Sequence, residues 1–223
     1  MSSSKYLLVL TLVCLCTAEA IAAQNPVDFR RTLFVTAAQK ELVLEAPKNM
    51  CFIDKSSRTE KMLFDDFAGI VEQDGDQALL AVFVDCTNLA NLGGKFGATD
   101  LQLNAGTISW MNPAIGAVTP LGRKDYLDTR AATFQNDAAA DAPSSFHPED
   151  KIHRTDSNVS LGLTGTVRGE FQDLPSAAVV AATSVQHVPL QIMIRTTGKD
   201  LKSLENIYPL MDKLTAQEIA LNE

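Results

Sequence analysis

Positive charge is what this sequence has little of: 19 Lys and Arg stand against 27 Asp and Glu, for a formal charge of −8, and no basic cluster interrupts the pattern. Nucleic acid and anionic membrane surfaces need concentrated Lys and Arg, so neither is an expected partner. Histidine is also scarce, with only His147, His153 and His187, which leaves few bases to activate a Ser or Cys nucleophile. There is no Gly-x-Ser-x-Gly elbow. Neither Gly93-Gly94-Lys95 nor Thr197-Gly198-Lys199 completes the frame that wraps a phosphate, so both read as turns. No internal repeat occurs, no motif names a reaction, and nothing calls for a cofactor.

Long apolar runs are absent too, with one exception at the start. Met1-Ser2-Ser3-Ser4-Lys5 is followed by an apolar stretch from Tyr6 to Cys16 and then by small residues. That order is the signature of a secretory signal peptide, with cleavage expected after Ala23. The alternative is a membrane anchor, since Tyr6 to Ala23 approaches the ~20 apolar residues that span a bilayer. Glu19 interrupts that stretch, and no Lys or Arg follows before Arg30. The expected location is therefore the periplasm or the secreted medium.

Four cysteines occur, and Cys14 and Cys16 fall inside the expected signal. An exported chain folds where disulfides persist, so the remaining pair, Cys51 and Cys86, is expected to form one bridge. Closing a loop of that length stabilises by about 3–4 kcal/mol in the chain-entropy model.

After residue 23 the chain reads as a leader segment over 24–39, containing an apolar patch at Leu33-Phe34-Val35, and one domain over 40–223. Glu41 to Glu45 alternates, Ala46-Pro47-Lys48-Asn49 signals a turn, and Met50 to Asp54 is β-prone, which together predict a hairpin. Ser57-Arg58-Thr59-Glu60 has the form of a capping box, and Leu63, Phe67, Ile70 and Val71 follow at helical spacing until Asp74-Gly75-Asp76. Ala78 to Asp85 is a continuous apolar run, expected as a buried strand beside Met50-Cys51-Phe52. Thr107 to Pro113 reads as a further strand, and Gly122 opens a helix to about Gln135.

Residues 136–160 carry little periodic apolar signal and read as a long surface loop, the first place to expect a site. Strands follow over Leu161–Phe171, Ala177–Val185 and Val188–Arg195, the last two joined tightly through Gln186-His187. Leu204, Ile207, Met211, Leu214 and Leu221 mark a closing amphipathic helix from Asp200, with Pro209 expected to kink it. The fold class is α+β: a mostly antiparallel central sheet covered by helices.

Leu42-Val43-Leu44-Glu45-Ala46-Pro47, the helix from Ser57, and the hairpin Val179 to Arg195 running into the terminal helix together resemble the PsbP-type family over roughly 40–221. The resemblance implies a central antiparallel sheet sandwiched by helices, and an accessory or binding role without a catalytic residue. The chain is also similar to small uncharacterised periplasmic proteins of Gram-negative bacteria.

Four groups of residues are candidates for chemistry. His147, Glu149, Asp150 and His153 gather two imidazoles and two carboxylates, ligands that a divalent ion takes. Asp54, Asp65, Asp66 and Asp85 pair carboxylates for acid and base work if their elements end at one edge. Phe96, Trp110 and Tyr126 are candidates to line an apolar ligand pocket. Asn158-Val159-Ser160 matches a glycosylation acceptor. The expected function is an exported, non-catalytic binding or accessory protein, its partner an envelope protein or small ligand met by the 136–160 loop or a sheet edge. The alternatives are a metal-dependent or acid/base envelope hydrolase and, with the signal retained, a membrane-anchored protein.

Overall fold

β-branched and apolar runs become nine strands in the computed structural model, which describes residues 30–73, 75–90, 105–111, 122–139, 146–168, 173–197 and 202–223. The expected signal peptide and Phe96 lie outside the described residues. A two-stranded ribbon comes first, β1 (Thr32–Ala37) with β2 (Lys40–Glu45). The main sheet then takes up β3 (Met50–Phe52), β4 (Gln77–Asp85), β5 (Ala105–Met111), β6 (Phe146–Arg154), β7 (Val159–Arg168), β8 (Asp173–Val185) and β9 (Val188–Thr197). Its seven strands run in the order β3-β4-β5-β9-β8-β7-β6, and every pairing is antiparallel. The helices are α1 (Arg58–Val71), α2 (Cys86–Ala90), α3 (Arg123–Ala139) and α4 (Lys202–Asn222). The chain is thus α+β with a mostly antiparallel sheet.

Strand alternation divides the core into layers. On β8, Ala177, Val179 and Ala181 point to one face, where Leu204, Ile207, Met211 and Leu214 of α4 meet them beside Leu42 and Leu44 of the ribbon. Val180 and Ala182 point to the other, against Tyr126, Leu127 and Phe134 of α3. Leu63 and Phe67 of α1 cover Cys51, Val82 and Val84 at the β3–β4 end. The spacing expected of α1 and α4 is therefore met at these positions, while Ile70 and Leu221 at their ends are exposed. Each buried Leu, Ile or Met of these layers stabilises by about 1.5–3 kcal/mol.

Several expectations are corrected. β2 pairs with β1 through a turn at Ala38-Gln39, and β3 pairs with β4, so Pro47-Lys48-Asn49 connects the ribbon to the main sheet and closes no hairpin. Ser57 has extended backbone but makes no side-chain cap. Asp54 binds Ser56 locally instead, and Glu60 reaches back to the Asp54 amide at 2.8 Å. Residues 136–160 are not one long loop: α3 continues to Ala139 and β6 begins at Phe146. β6 escaped the periodicity because it is an edge strand, and edge strands tolerate proline, charge and bulges. Its register jumps between Pro148 and Ile152, opposite Leu163 and Leu161, so Glu149, Asp150 and Lys151 bulge against Gly162 alone.

The disulfide forms as expected. Cys51 on β3 and Cys86 at the start of α2 are bridged with Cα atoms 5.0 Å apart. Pro189 sits where its missing N–H costs little: the described β5–β9 register ends at Trp110↔Leu190, so it faces no ladder partner there.

Candidate functional site

Polar side chains collect where α4 crosses the β6–β7 edge. On β7, Ser160 and Gly162 pair with Ala181 and Val179 and so face α4. The bulge in β6 brings Glu149 over Gly162, where its Oε2 accepts a 2.6 Å hydrogen bond from the Tyr208 hydroxyl. A Cβ at position 162 would collide with both groups, so any other residue there would have to push this pair aside. His153 lies opposite Ser160, tilts against the Tyr208 ring at 5.2 Å and pairs through Nε2 with Asp212 Oδ2 at 2.9 Å. Asp212 Oδ1 accepts from Asn158 Nδ2, which also donates to Thr215 Oγ1, each at 2.9 Å. Burial, and then the neighbouring Glu149 carboxylate, hold the Tyr208 hydroxyl well above its ordinary range.

This arrangement anchors a helix, and its members are occupied with one another. Glu149 and His153 both touch Tyr208, whereas His147 sits exposed at the far end of β6 opposite Thr164. Asp150 lies in the bulge. Among the described residues no group of three or more His, Cys, Asp or Glu side chains is placed to hold a metal ion. Ser160 faces the same layer as His153 but is fully buried without a hydrogen-bond partner, so no substrate reaches its hydroxyl. Asn158 is fully buried as well, so its amide is a core hydrogen-bonding group and inaccessible to a glycan.

Three of the other candidate carboxylates have local partners. Asp54 binds Ser56, Asp65 pairs with Lys61, and Asp85 accepts from the amides of Thr87 and Asn88. Asp66 lies on the same helix as Asp65. Trp110 packs on the α4 face and Tyr126 on the α3 face, so the sheet stands between them and they line no common pocket. Burial pushes the Tyr126 hydroxyl up to about 12.

A groove that the sequence did not signal opens beside the first turns of α4. It measures about 420 Å³ and is lined by Met50, Asp85, Ile194, Arg195, Thr196, Asn206, Ile207 and Leu210. Met50 and Asp85 face each other in register at the β3–β4 end, and Ile194 and Ile207 belong to the α4-side core. Arg195, also in the lining, pairs with Ala105 and Ala178, so strand alternation directs its side chain to the face opposite Ile194 and Thr196. The walls are thus mostly apolar, with Asp85, Thr196 and Asn206 as polar members of the lining. Such a groove forms from residues far apart in sequence, which is why periodicity could not reveal it.

No protein-family model matches the chain, and no curated protein does either.

Proposed function

We propose that the protein is an exported, non-catalytic binding module whose groove beside α4 takes a small amphipathic ligand with an apolar body and a neutral or cationic head. The observation that carries this reading is the groove itself: apolar walls from Met50, Ile194, Ile207 and Leu210, with the acidic Asp85 in its lining. A concave, mostly apolar site with few polar groups is the usual form of a ligand pocket. Export is supported by the signal-like start of the sequence and by the Cys51–Cys86 disulfide. Among the described residues no helix is long and apolar enough to cross a membrane.

The test uses two probes with the same tail and opposite heads, decyltrimethylammonium and decyl sulfate, below their micelle concentrations. The cationic probe is expected to raise the melting temperature by mass action, the sulfate is not, and Leu210→Arg should abolish the effect. Equal response to both probes, or a response untouched by Leu210→Arg, would remove the groove from the account. Mass spectrometry of protein from its native compartment should find an N-terminus near Gln24, and an intact Met1 would replace export by anchoring. The hydrolase reading has less support, because Glu149 and His153 are engaged with Tyr208 and Asp212.

A further inference from the structure

The two edges of the β1–β2 ribbon are treated differently. Arg31 O accepts from Ala46 N at 2.8 Å, and Arg31 precedes the register Thr32↔Glu45. Antiparallel pairs alternate between bonded and non-bonded positions, so residues 31, 33, 35 and 37 bond to β2. Glu41, Val43 and Glu45 must then point their backbone groups away from β1, and α4 meets those of Val43 and Glu45. Asn222 takes both the N–H and the C=O of Val43 at 2.8 Å each, and Glu218 Oε1 accepts from Glu45 N at 2.9 Å. The β2 edge is thereby closed by two side chains of the terminal helix.

The same alternation turns the N–H and C=O groups of Thr32, Phe34 and Thr36 outward on β1. Among the described residues no strand other than β2 pairs with β1. Proteins usually blunt such an edge with Lys, Pro or a bulge; Thr32-Leu33-Phe34-Val35-Thr36 has none of these. It instead presents Phe34 at 77% exposure, the most exposed large apolar side chain described. The sequence around Phe34 is also self-complementary. A two-fold axis at Phe34 sets it opposite itself, Leu33 opposite Val35 and Thr32 opposite Thr36. Aromatic and Thr–Thr cross-strand pairs are both favourable, and no like charges are opposed within the five residues.

We infer that the β1 edge is a homodimer interface, joining the ribbons of two copies into one four-stranded antiparallel sheet about a two-fold axis at Phe34. Thr32, Phe34 and Thr36 supply the bonded positions. The assembly closes at two copies, because each outer edge is the β2 edge already occupied by Asn222 and Glu218. The interface is small, so association is reversible and concentration-dependent.

Sedimentation of the purified protein should show a monomer–dimer equilibrium complete below about 1 mM. Phe34→Lys and Phe34→Glu, at an exposed position that spares the fold, should each be monomeric, because either substitution opposes like charges at the axis. Mixing the two variants should restore a dimer. A cysteine probe checks the register: Phe34→Cys should cross-link to itself under mild oxidation, bonded antiparallel partners lying about 5.5 Å apart, whereas Thr32→Cys, opposite Thr36 of the second copy, should not. A wild-type monomer at every concentration, a dimer that Phe34→Lys leaves intact, or cross-linking at 32 in place of 34 would overturn the proposal. The first of these outcomes would leave the edge to an extended segment of another protein.

Discussion

The two ends of the seven-stranded sheet are held by different physics. At the β3 end a covalent bridge ties Cys51 to Cys86, and α1 adds an apolar layer. At the β6 end hydrogen bonds join Tyr208, Asp212 and Thr215 of α4 to Glu149, His153 and Asn158. The first attachment constrains the unfolded chain and is indifferent to pH. The second constrains only the folded state, and its strength depends on every polar group keeping its partner. Residue types that suggest chemistry are thus used at the β6 end to position a helix.

The largest test of this contrast is to open the covalent end. Replacing both Cys51 and Cys86 by Ala should cost about 3–4 kcal/mol for a loop with a separation of 35 residues, read as a lower urea midpoint in the variant and in reduced wild type alike. Equal midpoints with and without reductant would mean that the bridge adds nothing.

At the β6 end the buried member should matter most. Asn158→Ala removes the fully buried donor that Asp212 Oδ1 and Thr215 Oγ1 share, and should cost about 2–3 kcal/mol by equilibrium unfolding. His153→Ala, at a side chain 39% exposed, should cost less than about 1 kcal/mol. The reverse ranking would make His153 the centre of the cluster and reopen a chemical role for it.

A third test takes pH to the ribbon edge that α4 closes, apart from both ends. Glu218 is fully buried with Oε2 unpartnered; burial raises its pKa from 4.5 to about 8, against the lowering effect of the Glu45 amide and with Glu45 itself adding to the rise. The group facing it is thus Glu45, which is paired with Arg31. The folded state holds this proton more tightly than the unfolded chain, so the contribution is complete below about pH 4.5 and is lost as pH rises to about 8. The slope reaches at most about 1.4 kcal/mol per pH unit. Glu218→Gln keeps an acceptor for the Glu45 amide without the ionisation, and should leave the protein about 1–2 kcal/mol more stable than wild type above pH 8. A wild-type stability flat between pH 5 and 8 would show that the carboxylate stays solvated.

The sequence made the covalent end legible and the hydrogen-bonded end nearly opaque. Two cysteines beyond the signal, and a continuous apolar run ending at the second, point to β4 and to its bridge with little ambiguity. β6 carries Pro148, Glu149, Asp150 and Lys151, and its alternation is broken by the bulge, so composition alone reads it as loop. His153 and Glu149 were found by residue type, but their partners Tyr208 and Asp212 lie on α4, more than fifty residues away, beyond the reach of local pattern. The groove at Leu210 and Met50 was invisible for the same reason.

Two hairpins show how finely this legibility depends on context. Gln186-His187 and Ala38-Gln39 both place two non-glycine residues at positive φ, 49° and 65° in one and 49° and 62° in the other. The first is flanked by long β-branched runs and reads as a hairpin; the second joins short strands, and the Pro47-Lys48-Asn49 signal nearby outcompetes it. Left-handed backbone favours glycine, so Gln39→Gly should stabilise by about 0.5 kcal/mol, the gain in the turn being offset in part by a more flexible unfolded chain. Because Gln39 lies beyond the five residues of the Phe34 interface, the melting temperature should rise by the same amount in the Phe34→Lys background. A gain confined to wild type would mean that the turn acts through the dimer edge and not through the hairpin alone.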